Sequence, residues 1–213
     1  MSIYTTEITS DKLVSDNPLH HRLLSAYVFA VKYIYGNVLE LGCGEGRGID
    51  IILKKSKSFT AIDKISELTD KLSKKYPDHT FISSSFPPFK NINDNSFDTL
   101  ISFQVIEHIK NDKLFIEEIY RILKPGGKAL ISTPNIKMTL TRNPWHIREY
   151  TSEELNNLID HFNETVKALE LVDPKNPKQI MTRMERMFRR LYPDQMEGNF
   201  LRGFLKAINN RIK

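Results

Sequence analysis

The sequence predicts an α/β fold, a Rossmann-like three-layer sandwich with a mostly parallel central sheet, followed by C-terminal amphipathic helices. Three observations carry this. Short apolar strands alternate with helical segments from Val38 to Ser132, the pattern of βαβ units. A glycine-rich turn, Gly42-Cys43-Gly44-Glu45-Gly46, follows the first strand directly. A carboxylate, Asp63, ends the second strand.

The elements follow in order. Ser15-Asp16-Asn17-Pro18 combines polar cap residues with an early proline, a helix-start signal. From His20 to Tyr35 the apolar residues Leu23, Leu24, Tyr27, Val28, Val31 and Ile34 recur three and four apart, which predicts a helix. Val38 to Leu41 is a strand, and a helix from Arg47 to Lys55 comes next. Phe59 to Ile62 is the second strand. Ile65 to Tyr76 is helical and stops at Pro77. Thr80 to Ile82 is the third strand, Phe97 to Phe103 the fourth, and Lys113 to Leu123 a helix. Pro125-Gly126-Gly127 reads as a turn before a fifth strand, Ala129 to Ser132. Thr133 to Tyr150 is a long loop. Thr151-Ser152-Glu153-Glu154 has the form of a capping box that opens a helix to about His161. Val166 to Val172 is expected as a sixth strand; Ile180 to Leu191 and Phe200 to Ile212 are expected as amphipathic helices. Residues 1–172 are taken as one domain and 173–213 as a basic helical extension packed on it.

Composition narrows the class. The 213 residues are 40% hydrophobic and 27% charged, ordinary for a soluble globular chain. No apolar run is long enough for a bilayer, and Met1 to Asp16 lacks the features of a secretory signal. Cys43 is the single cysteine, which excludes an intrachain disulfide and a cysteine-rich metal site. A cytoplasmic protein without a metal is the expectation. The net charge of +5 is uneven: Lys178 to Lys213 holds nine Lys/Arg against three Asp/Glu, and the remainder is close to neutral. Any electrostatic role therefore belongs to the tail.

The glycine turn distinguishes among ligands. A dinucleotide fingerprint requires G-x-G-x-x-G, but the sixth position is Arg47 counting from Gly42 and Ile49 counting from Gly44. The Lys-Ser/Thr signature of a phosphate-binding loop is also missing. What remains is G-x-G-x-G preceded by Glu40, a pattern suited to a ligand without a pyrophosphate. Asp63 lies about twenty residues beyond, where a carboxylate can accept both hydroxyls of a ribose. A packing turn and a helix-capping aspartate are the plainer readings of these two features taken singly.

With Phe97-Asp98-Thr99-Leu100-Ile101-Ser102, Glu107-His108 and Leu123-Lys124-Pro125-Gly126-Gly127-Lys128 added, the chain resembles the class I S-adenosylmethionine-dependent methyltransferases, and within them the type 11, small-molecule branch. The resemblance covers Asn37 to Asn135 and extends weakly to Ile159. It implies that Gly42, Cys43, Gly44 and Gly46 line the methionine part of S-adenosylmethionine, that Glu40 holds its ammonium directly or through water, and that Asp63 binds the ribose. Lys64 and Ile65 would flank the adenosine and Gln104 would sit near the sulfonium. Many members carry an acidic residue after the third strand to meet the adenine; here Ser84, Ser85 and Phe86 stand in that region. The core of such proteins normally ends in an antiparallel strand pair, of which no seventh strand is visible here.

A methyl transfer needs alignment and exclusion of water more than it needs a protein nucleophile. A hydroxyl acceptor would benefit from a general base, for which His108 and His146 are the candidates. Glu107, Trp145, Arg148 and Tyr150 are expected near the acceptor. The plainer alternatives are a packed helix-start histidine and a folded-down loop anchored by Trp145. The acceptor is expected to be a small or amphiphilic molecule of a lipid- or quinone-like kind, with no specific nucleic acid. The basic tail is expected to pack on the domain or on a second copy in a homodimer, or to touch a membrane surface peripherally; RNA binding is the least favoured alternative, since no recognised RNA-binding motif is present and the aromatics lie on the apolar stripe. Competing readings are a non-catalytic cofactor- or partner-binding protein and, less favoured, an NAD-type oxidoreductase.

Overall fold

The computed structural model describes residues 18–139 and 143–160; the expected sixth strand, both C-terminal helices and the boundary at 172 lie outside them. The chain order is α1 (Pro18–Ala30), β1 (Asn37–Leu41), α2 (Ile49–Leu53), β2 (Ser58–Asp63), α3 (Ser66–Lys75), β3 (Thr80–Ser83), β4 (Phe97–Phe103), α4 (Asp112–Ile122), β5 (Leu123–Ser132) and α5 (Ser152–Asp160). Short 3-10 turns follow α1 (Val31–Tyr33), β4 (Ile106–His108) and β5 (Ile136–Met138).

All five strands are parallel, in the order β3-β2-β1-β4-β5. The winding reverses between β1 and β4, and the crevice beyond the carboxyl ends of these two strands is where such sheets take ligands. Alternation along each strand sends side chains to two cores. Leu39 and Leu41 join Phe115, Ile116 and Ile119 of α4 on one face. Val38 joins Tyr27, Ile49, Ile52 and Leu72 on the other. Glu40 shares Val38's face by the same alternation, which buries a carboxylate under α1.

Two local differences from the sequence reading have plain causes. Helix α2 is shorter than expected because the chain stays in turns through Gly48; the Tyr27 ring occupies the place of a Gly48 side chain. The Pro125-Gly126-Gly127 turn falls inside β5 rather than before it. The ladder pairs Phe97 with Leu123 and next Thr99 with Lys128, so 124–127 loop out opposite Asp98. Lys124 Nζ there donates to both Asp98 oxygens, at 2.9 and 2.8 Å. The Asn37 N–H donates to Asp98 at 2.7 Å. The Lys124 ammonium, with the Asn37 amide, holds the Asp98 carboxyl below its usual range. The capping box at α5 is present: the Glu154 N–H donates to Thr151 Oγ1 at 3.1 Å, and the Thr151 N–H to Glu154 Oε2 at 2.8 Å.

Phe115 is fully buried and packs against Phe86 and Phe89, with ring centroids 6.0 Å away in each case. Truncating it leaves a cavity beneath the β3–β4 connection. Phe115→Ala should lower unfolding free energy by about 3–5 kcal/mol, read from the midpoint of a urea titration.

Candidate functional site

A cavity of about 250 Å3 opens at the carboxyl ends of β1, β2 and β4. Its wall is built from the segments that leave those strands. Gly42, Cys43 and Gly44 come from β1; Asp63, Lys64 and Ile65 from β2; Ser85 and Phe86 from beyond β3; Gln104 and His108 from beyond β4. Leu23 and Tyr27 of α1 and Arg47 of the glycine turn complete it.

The glycines have separable reasons. Gly42 has φ +72°, and a Cβ there would lie 2.5 Å from Val105 Cγ2. Gly44 has φ +53°, and a Cβ there would meet nothing within 4 Å. Its backbone therefore faces open space, room that a ligand can use. The loop is held by Asp63: Oδ2 accepts from the Gly44 N–H at 2.8 Å, and Oδ1 from the Ile65 N–H at 3.0 Å. Asp63 is nearly buried, and each oxygen keeps a second acceptor direction. Across the crevice Gln104 has φ +58°, an uncommon conformation for a side chain of this kind. It is fixed by its N–H on the Ser132 carbonyl at 2.8 Å, and it turns the chain sharply out of β4.

Glu40 is not in the cavity wall. It lies behind Tyr27, whose hydroxyl donates to Glu40 Oε1 at 2.7 Å. Glu40 Oε2 is buried and has no hydrogen-bond partner among the described residues. Burial, partly offset by the Tyr27 hydrogen bond and assisted by the nearby charge of Asp63, pushes the Glu40 carboxyl up to about 7. Burial first, then Glu40 and Asp63, pushes the Cys43 thiol far above its usual range, so it serves here as a small neutral side chain. Two carboxylates and one uncompensated buried oxygen make the β1 end of the cavity a place where a cation is welcome.

Beside His108, and outside the cavity wall, lies the loop after β5; Glu107, Trp145 and His146 do not line the cavity. The Ile147 and Arg148 N–H groups donate to the Glu107 carbonyl at 2.8 and 3.2 Å, which docks the loop on the turn after β4. His108 Nδ1 lies 2.9 Å from the Trp145 carbonyl oxygen, and His146 Nδ1 lies 2.6 Å from Glu149 Oε1. The two imidazoles meet edge to face, centroids 5.0 Å apart. Glu107 is buried, and its Oε2 accepts from Thr133 Oγ1 at 2.9 Å.

The structure redistributes several expected site residues. Gly46 and Ser84 do not line the cavity; Ser84 Oγ bonds the Ser85 carbonyl at 3.1 Å. Tyr150 is in the core with its hydroxyl 3.0 Å from Asp112 Oδ2, and Arg148 pairs with Asp112 at 3.0 Å and Glu154 at 3.4 Å. Neither lines the cavity, and both pin the loop to the start of α4. Trp145 is half exposed and offers its carbonyl rather than its ring to His108. Tyr27, which the sequence marks only as part of a helix's apolar stripe, is both buried and in the cavity wall. Its signal was chemical: a tyrosine in an aliphatic stripe must find its hydroxyl a partner.

Residues 39–131 match a family profile described as a methyltransferase domain. A "probable S-adenosylmethionine-dependent methyltransferase" of Mycolicibacterium smegmatis is 34% identical over 130 residues, covering 58% of this chain and 50% of that protein. The mitochondrial ubiquinone biosynthesis O-methyltransferase of Dictyostelium discoideum is 32% identical over 137 residues, covering 57% of this chain and 39% of that one. This chain thus spans half or less of these curated relatives. The fold is also that of the Burkholderia thailandensis 1,6-didemethyltoxoflavin-N1-methyltransferase, solved with S-adenosylhomocysteine bound. Its TM-score is 0.54 and its identity 20%, over 68% of this chain and 67% of that one. Residues 153–213 match a second profile, the C-terminal domain of the tRNA methyltransferase TrmJ. That match starts ahead of the boundary expected at 173.

The domain's buried acid gives a stability signature. Because Glu40 titrates near 7 when folded against an ordinary 4.5, the folded state holds its proton more tightly. The stabilisation is present below pH 4.5 and is lost as pH rises through about 7. Its size is on the order of 3 kcal/mol. Glu40→Gln keeps an acceptor for Tyr27, so urea midpoints at pH 5 and pH 8 should differ less in the variant than in the unsubstituted protein.

Proposed function

We propose that this protein is an S-adenosylmethionine-dependent methyltransferase that acts on a small hydroxylated acceptor. The observation that carries the reading is the pairing of Asp63 and the open Gly44 backbone at one cavity end with buried Glu40 behind it. A nucleoside joined to a cationic amino acid matches that sequence of acceptors: ribose hydroxyls at Asp63, ammonium and sulfonium toward Glu40. The methyltransferase profile over 39–131 supports the same choice. Phe86 and Ile65 supply apolar faces for a base.

When bound, S-adenosylmethionine supplies an electrophilic methyl group; the acceptor's lone pair forms the new bond and the carbon–sulfur pair returns to sulfur, leaving S-adenosylhomocysteine. The protein's part is placement. Gly42 and Gly44 let main chain approach the ligand closely. Tyr27 and Leu23 cover the cavity from α1 and exclude water. Gln104 stands where β4 opens beside the reacting end. His108 is at the rim, where it and His146 are the polar groups able to activate an acceptor hydroxyl. The quinone-pathway name of the Dictyostelium relative supports a phenolic or lipid-like acceptor.

A second reading has its own observation. The tail matches a tRNA methyltransferase's C-terminal domain, and its last 36 residues carry the basic excess. An RNA acceptor would use that charge to hold phosphates. Transfer of labelled methyl from S-adenosylmethionine separates the readings. Label in small phenols or catechols supports the first; label in tRNA alone would replace it with the second. Absence of label in either, with the cofactor bound, would favour the non-catalytic alternative.

Asp63→Ala removes a charged acceptor for two hydroxyls and frees the Gly44 loop. Affinity for S-adenosylhomocysteine should fall by about 100-fold or more, since hydrogen bonds to charged groups contribute about 1.5–3 kcal/mol each. Equilibrium dialysis with labelled ligand reads this directly, and unchanged affinity would remove the ribose assignment.

A further inference from the structure

Glu107, His108 and His146 each place a ligand-type atom within 4.8 Å of the others. The sequence reading expected no metal. We propose that these three residues bind a divalent transition-metal ion of the zinc class beside the cavity, where His108 joins its wall, with open coordination positions for an acceptor hydroxyl.

The orientation of the two imidazoles is the first support. The Trp145 carbonyl can only accept, so His108 Nδ1, 2.9 Å away, carries its hydrogen. The Glu149 carboxylate, 2.6 Å from His146 Nδ1, fixes that ring in the same sense. A neutral ring so held presents its lone pair on Nε2. Metal-binding histidines are commonly built this way: one nitrogen donates to a carbonyl or carboxylate, and the other faces the ion. Here both rings are held so, and both supports come from the loop that the Glu107 carbonyl docks through the Ile147 and Arg148 amides.

The carboxylate is the second support. Glu107 is 1% exposed, and Thr133 Oγ1 orients its Oε2 at 2.9 Å. A carboxylate withdrawn from water beside two imidazoles gains from a cation between them. The donor set contains two nitrogens and an oxygen and no thiolate, which favours zinc-like ions over soft monovalent ones. Three protein ligands leave at least one position open, the arrangement of reactive rather than structural sites. Metal–ligand bonds of about 2.0–2.2 Å bring ligand atoms to about 3.4 Å of one another in a tetrahedron, so the side chains must draw in modestly from the present separation.

His108 lines the cavity, which puts an ion held there at its rim. A coordinated hydroxyl loses its proton to water more readily than a free one, so the acceptor oxygen would reach the methyl group as an alkoxide or phenolate. In this state the two histidines act as ligands rather than as free bases. The ion's role rests on the methyl-transfer reading; its binding does not.

The test is a titration of the metal-stripped, full-length protein with Co2+ and Zn2+, with S-adenosylhomocysteine binding measured on the same samples. One equivalent of Co2+ should bind and give the intense visible bands of a four- or five-coordinate ion, displaced by Zn2+. His146→Ala and Glu107→Gln should weaken binding by about 100-fold or more, and the supporting Glu149→Gln by about 10–100-fold. His108→Asn, at the rim, serves if a buried variant fails to fold. Absence of stoichiometric binding, or binding indifferent to His108 and His146, would overturn the site. In that case intact S-adenosylhomocysteine binding leaves the methyltransferase reading standing, whereas metal binding without S-adenosylhomocysteine binding removes that reading and keeps the site.

Discussion

The hydrogen bonds from the Gly44 and Ile65 amides to Asp63 are the constraint on which the site depends. They tie the turn after β1 to the end of β2, two strands that are already neighbours in the sheet. A glycine loop with positive φ at Gly42, Gly44 and Gly46 has many conformations to lose. One buried carboxylate restricts it to the shape that leaves Gly44 facing open space. The same carboxylate adds negative charge beside Glu40, which burial already disfavours. A cation placed beside these two carboxylates would favour the ionised form of Glu40.

The second organising feature is the loop from 143 to 150. It runs over the surface, yet its last two residues, Glu149 and Tyr150, are buried. Asp112, at the start of α4, accepts from both Arg148 and Tyr150. These contacts leave His146 beside His108, although thirty-eight positions separate them in the chain. Parallel β4 and β5 end on the same side of the sheet, so the segments leaving them meet at one rim. The topology that brings the nucleoside end together therefore brings the acceptor end together as well.

The sheet and the placing of the glycine turn beside Asp63 were legible in the sequence because their signals are local. Apolar runs of four to seven residues, a glycine turn and an aspartate at a strand end each fix a position without distant information. The acceptor end was only partly legible. Arg148 and Tyr150 read as contact residues because a polar aromatic segment in a long loop looks functional; their partner Asp112 lies almost forty positions earlier, and nothing local announces it. Tyr27 drew no separate notice for the opposite reason, since its helical spacing is that of its aliphatic neighbours. Glu40 was found by its place before the glycines, but its position behind Tyr27 follows from the packing of α1, which the spacing of one helix does not determine.

Titration calorimetry of the full-length protein with S-adenosylmethionine, S-adenosylhomocysteine and NADH tests the central claim most directly. A cavity lined by Asp63 and Gly44, with buried Glu40 behind its wall, should bind both sulfur ligands and leave NADH unbound. Binding of NADH alone, or of none of the three by folded protein, would contradict it.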